Sequence, residues 1–204
     1  MSAAPAPVPP SALRNAGAIR DVLMPLLTEA LPPNATVLEI ASGSGHHAAV
    51  MAAALPQFIW QPSERDPQGH AEVTARVSEA RLANLRAPLL LDVLKTPWPL
   101  AHADALMCIN MIHISPWEAT DAVFAGAARL MPDKGLVMTY GPYRIDGDWG
   151  ADSNRMFDAS LRQRNPAWGV RELRDVERVA ASHGFTLQER WPMPANNFTL
   201  AFTK

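Results

Sequence analysis

Cysteine is nearly missing from this chain: Cys108 stands alone among 204 residues. One thiol excludes an intramolecular disulfide and points to a reducing compartment, so the cytoplasm is the expected location. An excess of positive charge is also missing. Eighteen basic against 20 acidic side chains give a net charge of -2, which leaves no electrostatic footprint for nucleic acid. No apolar run approaches the ~20 residues that cross a bilayer, and Met1–Pro10 lacks the basic start and apolar stretch of a signal peptide. No G-x-S-x-G elbow surrounds Ser44, which argues against hydrolase chemistry. His46 and His47 are adjacent and so point to different helix faces, not the spacing of two zinc ligands; no metal is expected. Cys108 lies in an apolar run and reads as core.

The chain does have the makings of a substantial core: 48% of residues are apolar and 19% charged, as in soluble globular proteins. Residues 1–12 read as a flexible Ala/Pro-rich tail, and 13–204 as one domain. Helical periodicity runs from Arg14 to Ala30. Five strands are then expected at 36–41, 58–60, 88–93, 104–110 and 136–140, with helices between them. The segment 61–66 reads as a polar turn. Ser115, Pro116 and Glu118 carry the start signals of a helix, with Ser115 as the cap. Residues 141–171 break the rhythm, and a last helix (172–183) precedes two strands close enough to pair antiparallel. Alternating strands and helices give an α/β fold with a parallel sheet covered on both faces.

In such a sheet ligands bind beyond the carboxyl ends of the strands. The first strand ends in Glu39-Ile40-Ala41-Ser42-Gly43-Ser44-Gly45, and its glycines let a ligand approach the backbone. A phosphate would not favour Glu39, whereas a cationic nucleoside would, and S-adenosylmethionine is the candidate. The second strand delivers Glu64, able to accept from both ribose hydroxyls, and the third delivers Asp92, able to accept from the adenine amine. Taken singly, each acid is equally readable as a polar strand end. Asn110, His113, Tyr140 and Tyr143 leave the fourth and fifth strands at the same edge. The nicotinamide fingerprint wants G-x-G-x-x-G; here Ala48 replaces the third glycine, a change some dinucleotide sites accept. No Tyr-x-x-x-Lys for hydride transfer is present, which disfavours an oxidoreductase.

Longer runs carry a resemblance. Val37–Ala48, Trp60-Gln61-Pro62-Ser63, Cys108–Pro116, Tyr140-Gly141-Pro142-Tyr143, Ser153-Asn154 with Phe157-Asp158, Asn165–Gly169 and Met193–Asn197, with Arg14-Asn15, resemble the S-adenosylmethionine-dependent methyltransferase-like family that includes methyltransferase-like protein 26. The resemblance implies a class I methyltransferase, Rossmann-like fold. Its seven-stranded sheet has the order 3-2-1-4-5-7-6, with strand 7 antiparallel and helices on both faces. It also implies that Glu39, Gly43 and Gly45 hold the methionine end, Glu64 the ribose and Asp92 the adenine, with Arg14, Asn15, Ala41, Val93 and Asn110 in the same cofactor set. General class I motifs often have glycine where Ala41 stands, and the family usually has aspartate at Glu64.

The expected activity is methyl transfer to O, N or S of a small-molecule acceptor, with S-adenosylhomocysteine as product. His113 is the first candidate base, set against a role bonding backbone to hold the following helix. Tyr143 and Asp158 are weaker candidates. Residues 141–171 read as a lid. Tyr140, Tyr143, Asn154, Phe157, Trp168 and Arg171, with Asn196 and Asn197 from the final hairpin, are the expected substrate contacts. A catalytically idle binding or interaction module is the competing reading. No sequence feature assigns an oligomeric state.

Overall fold

Two strands, Thr36–Ile40 (β1) and Leu136–Gly141 (β5), are buried at every position, the pattern of strands covered on both faces. They belong to different halves of the chain. The computed structural model describes residues 5–204, which form two compact units, one ending at Met107 and one running Cys108–Lys204.

The first unit contains α1 (Pro10–Ala30), β1, α2 (His46–Ala54), β2 (Ile59–Glu64), α3 (Pro67–Ala80) and β3 (Leu89–Leu90). In α1 the buried positions Ala12, Ala16, Ile19, Leu23 and Leu27 follow the three-to-four-residue spacing of one helix face. The helix begins at Pro10, earlier than the periodicity suggested, because proline is tolerated in a first turn where its missing N–H has no partner to lose. The expected flexible tail therefore overlaps a helical turn at residues 10–12, and its first four residues lie outside the described chain. Asp66 caps α3 by accepting from Gln68 N–H (2.9 Å) and Gly69 N–H (3.2 Å).

The strand β4 (Ala105–Ile109) leads into the second unit, which holds α4 (Glu118–Leu130), β5, β6 (Tyr143–Arg144), α5 (Asp152–Arg164), β7 (Arg171–Glu172), α6 (Leu173–Ser182), β8 (Thr186–Met193) and β9 (Asn197–Thr203). The main sheet has the order β3-β2-β1-β4-β5-β9-β8. β1–β2 and β2–β3 are parallel, and β9 is antiparallel to both β5 and β8. With the small β6–β7 pair set aside, this is the expected α/β class I methyltransferase topology. Among the described residues no helix is long and apolar enough to cross a membrane.

Three local expectations are corrected. Residues 61–64 are strand, not turn. Pro62 sits inside β2 although it has no N–H, and Pro88 in the neighbouring segment has none either. The side-chain amide of Gln61 supplies the missing donor, to Ala87 O (2.8 Å) and Pro62 O (3.1 Å). Ser115 does not cap α4: the helix starts at Glu118 behind Trp117, and the Ser115 hydroxyl is buried without a hydrogen-bond partner among the described residues. The 141–171 segment is not merely irregular, since α5 provides 13 residues of helix within it.

Candidate functional site

The turn after β1 is built from left-handed backbone. Ala41 (φ 55°), Gly43 (58°) and Gly45 (71°) all adopt it, a conformation that costs a residue with a Cβ roughly 1–2 kcal/mol. Gly45 has a second reason to be glycine, because a Cβ there would stand 3.1 Å from the Arg76 side chain. At Gly43 a Cβ would meet nothing within 4 Å among the described residues, which leave that side of the turn open to a ligand. The Gly43 N–H donates to Glu64 Oε2 at 3.1 Å, and Arg65 N–H donates to Glu64 Oε1 at 2.7 Å. An anion at this turn would have to displace a carboxylate already bonded to it.

Glu39 lies beneath, 2% exposed, and accepts from Trp60 Nε1 at 3.2 Å. Burial raises its pKa from 4.5 to about 8; hydrogen bonds from Trp60 and Ser42 oppose the rise, and the charge of Glu64 adds to it. Ser63 ties the strand ends together, its hydroxyl donating to Glu39 O at 2.7 Å while Ser42 N–H donates to Ser63 O at 2.8 Å. Leu91 N–H donates to Glu64 O at 2.8 Å, which sets the following Asp92 beside the end of β2. Asp92 accepts from Leu94 N–H at 3.1 Å and closes its own turn. Val93 is buried, and its carbonyl accepts from Trp98 Nε1.

The structure thus brings Glu39, Gly43, Gly45, Glu64 and Asp92 to one strand edge. This set of three carboxyl groups, with Glu39 held largely protonated by its burial, fits a ligand bearing positive charge and hydroxyl groups. Asn15 is bonded to His47, 2.8 Å from Oδ1 to Nε2, and so fastens α1 to α2. Arg14 is exposed and makes none of these contacts. Trp60, Ser42 and Gln61 were not expected to matter; the Trp60–Ser63 run was the available signal.

In the second unit the expected catalytic residues are committed to structure. His113 is fully buried. Its Nδ1 accepts from Arg171 N–H (3.4 Å), its carbonyl accepts from Gly169 N–H (2.9 Å), and its ring meets Tyr143 edge-on at 4.9 Å. Burial, with the charge of Arg171, lowers its pKa from 6.5 to about 3. The ring therefore bonds backbone at Arg171, and not at the helix that follows His113. Gly141 packs against the ring so closely that a Cβ there would lie 2.3 Å from His113 Nε2. The Tyr143 hydroxyl is buried and bonded to Thr139 at 2.7 Å, and burial raises its pKa. Asp158 accepts from Val170 N–H (2.8 Å) and Arg162 Nε (2.7 Å).

The expected substrate contacts divide. Arg171 donates to the carbonyls of Ile112, Ser115 and Ala167, which makes it a backbone clamp. Asn154 donates to Trp149 O (3.0 Å) and Asn196 O (3.1 Å). Asn197 donates to Pro194 O and Ala195 O within the β8–β9 tip. Tyr140 is buried, and its carbonyl accepts from Asn110 N–H at 2.7 Å. Asn110 itself is left-handed (φ 60°). Phe157 is 36% exposed on α5, and Arg164 covers the Trp168 ring at 5.0 Å. Among the described residues no cluster of three or more His, Cys, Asp or Glu is placed to hold a metal.

Several solved structures share this fold. The S-adenosylmethionine-dependent methyltransferase SibL is 18% identical with a TM-score of 0.75, over 93% of this chain and 55% of that one. Mitomycin 7-O-methyltransferase MmcR is 17% identical with a TM-score of 0.78, over 95% and 54%. An O-methyltransferase family 2 protein from Planctomyces limnophilus, solved with apigenin, is 15% identical with a TM-score of 0.73, over 93% and 61%. The chain therefore spans little more than half the length of these proteins, and at such identities the likeness is one of fold. A family description matches more directly, over residues 6–204: "Protein of unknown function (DUF938)". Matched over nearly its whole length, the chain belongs to that family.

Proposed function

We propose that the protein is an S-adenosylmethionine-dependent methyltransferase acting on O, N or S of a small-molecule acceptor. The observation that carries this reading is the acidic glycine turn: a buried Glu39 carboxyl beneath an open Gly43 whose N–H is held by Glu64. The three structures described above are methyltransferases by name, which supports it, as does the resemblance to the family of methyltransferase-like protein 26. In this reading Glu39 and the glycine turn hold the charged methionine end, Glu64 the ribose and Asp92 the adenine. Arg14, Asn15, Ala41, Val93 and Asn110 complete or support the set. The donor brings a methyl group already activated on a sulfonium.

The chain's own residues then have to orient the acceptor and exclude water, effects worth ~7–11 kcal/mol in favourable cases. Residues 141–171 and the β8–β9 tip serve the acceptor. His113, Tyr143, Asp158 and Arg171 serve by holding that framework. The single thiol favours the cytoplasm as the place of work.

One observation favours a second reading. Each expected base has an atom bonded within the fold, though His113 Nε2 is buried with no hydrogen-bond partner among the described residues; so many structural bonds suit a binding module that has no chemistry to perform. Calorimetry with S-adenosylmethionine, S-adenosylhomocysteine and NAD comes first: binding of the two adenosyl ligands and not NAD is expected, and the reverse pattern overturns both readings. Incubation with methyl-labelled S-adenosylmethionine and a metabolite extract then separates them. Label appearing in a small molecule supports the enzyme; tight binding with no transfer to any molecule supports the module.

A further inference from the structure

A cavity of about 170 Å³ opens in the second unit between the turn 145–150 and the β8–β9 tip. Its walls include Ile145, Trp149, Met193 and Phe198, and its polar lining residues are Tyr143, Asp148, Asn196 and Asn197. The volume is close to the ~150 Å³ that accommodates one benzene ring in an apolar protein cavity, and below the ~300–1,000 Å³ of pockets that bury drug-sized ligands.

Two features make the walls selective. The Arg144 guanidinium lies over the Trp149 ring at 5.0 Å, and that of Arg190 over Phe198 at 5.3 Å. Neither arginine lines the cavity. A cation on one face draws π density away from the opposite face and adds its own positive field there. With a guanidinium over each, both rings are poorer hosts for a second cation and better ones for an electron-rich neutral ring; the Asp148 carboxylate in the lining acts in the opposite sense, and the Arg144 charge is shared with Glu172 at 3.4 Å. Asp148 offers a carboxylate to a hydroxyl or amine hydrogen, one oxygen being used by Gly150 N–H at 3.0 Å. The walls are also held in place: Asn154 binds Trp149 O on one side and Asn196 O on the other through a single amide nitrogen. Left-handed backbone at Asp146, Gly147, Gly150, Ala195 and Asn196 fixes both flanking turns.

We propose that this cavity takes the single, uncharged, electron-rich ring of the acceptor, a phenol-type ring with its hydroxyl toward Asp148. Asn154 acts as a positioning residue. The assignment of the ring to a methyl acceptor rests on the methyltransferase reading; the binding preference does not.

The test uses the full chain labelled with 5-fluorotryptophan, the Trp149 signal among the six tryptophans being identified with Trp149→Phe. Phenol and benzyltrimethylammonium are titrated separately, with no nucleoside present. Phenol is expected to shift the Trp149 fluorine signal saturably and to bind more tightly than the cation. Arg144→Gln and Arg190→Gln, both at partly or fully exposed positions, are each expected to narrow that preference by roughly two- to fivefold, the size of one exposed cation–π contact. A Trp149 signal that does not respond to phenol overturns the proposal, as does a cation bound as tightly as phenol by the unsubstituted chain. Calorimetry with S-adenosylhomocysteine on the same sample separates the two levels. If it binds and phenol does not, this inference alone falls; if phenol binds and it does not, the methyltransferase reading falls and the ring site stands.

Discussion

Glu39 is held mostly protonated at neutral pH by its burial, yet the proposed ligand carries positive charge to it. Arrival of that charge favours the carboxylate, so binding of S-adenosylmethionine should release a proton. Calorimetry in buffers of different ionisation enthalpy should detect the release between pH 6 and 8, and Glu39→Gln should abolish it while weakening binding. Two residues on, Ala41 holds a left-handed φ of 55°. Replacing it by glycine relieves the strain at some entropic cost in the unfolded chain. Ala41→Gly should therefore stabilise the protein by a net ~1 kcal/mol or less, read as a small rise in Tm. The glycine common at this place in class I motifs has, in this chain, a backbone reason.

At the scale of elements, β2 depends on a side chain for its pairing. Gln61→Leu keeps the volume but leaves Ala87 O and Pro62 O without their donor. It should destabilise the protein by ~1–3 kcal/mol, with faster amide exchange concentrated in residues 84–91. β2 also marks where sequence reading stopped. A strand interior containing proline reads as a turn, because the replacement donor is a neighbouring side chain whose direction no local pattern encodes. By contrast, β1, its glycine turn and α2 were legible, since apolar run, glycines and helix formers follow one another in the chain. In the second unit the residue types were legible but their partners were not. Arg171 could equally face an acidic ligand, and only the folded chain sets three carbonyls around it. Asn154 likewise reads as a ligand contact until its two backbone acceptors are in view.

Over the whole molecule, the buried titratable groups set a pH profile. His47 and His113 fall to about 4 and about 3, both through burial. The unfolded chain takes up protons at these positions below about 6.5, and the folded chain only near those lower values. Their contribution is therefore complete above 6.5 and is lost as pH falls toward 3. Glu39 acts in the opposite sense: its contribution is complete below 4.5 and is lost as pH rises to about 8. Between 4.5 and 6.5 these two histidines, joined by His46, whose pKa burial and the charge of Arg76 also lower, oppose one glutamate, and well above 6.5 the glutamate acts alone. Stability of the ligand-free protein should thus peak near pH 6.5. Chemical denaturation across pH 4–9 checks this, and Glu39→Gln should flatten the alkaline limb. The sheet order behind this arrangement was expected from the resemblance, and strand alternation alone would have left it open.

The contact between Gly141 and His113 has a consequence for how this chain can vary. One added methyl group at 141 meets the imidazole at 2.3 Å, and the ring, pinned by Arg171 N–H and packed against Tyr143, has nowhere to withdraw. Gly141→Ala alone should fail to yield folded protein, while Gly141→Ala combined with His113→Ser should recover it in part. In a pairwise mutational scan the two positions would then behave as one inherited unit, each closed to change until the other has moved.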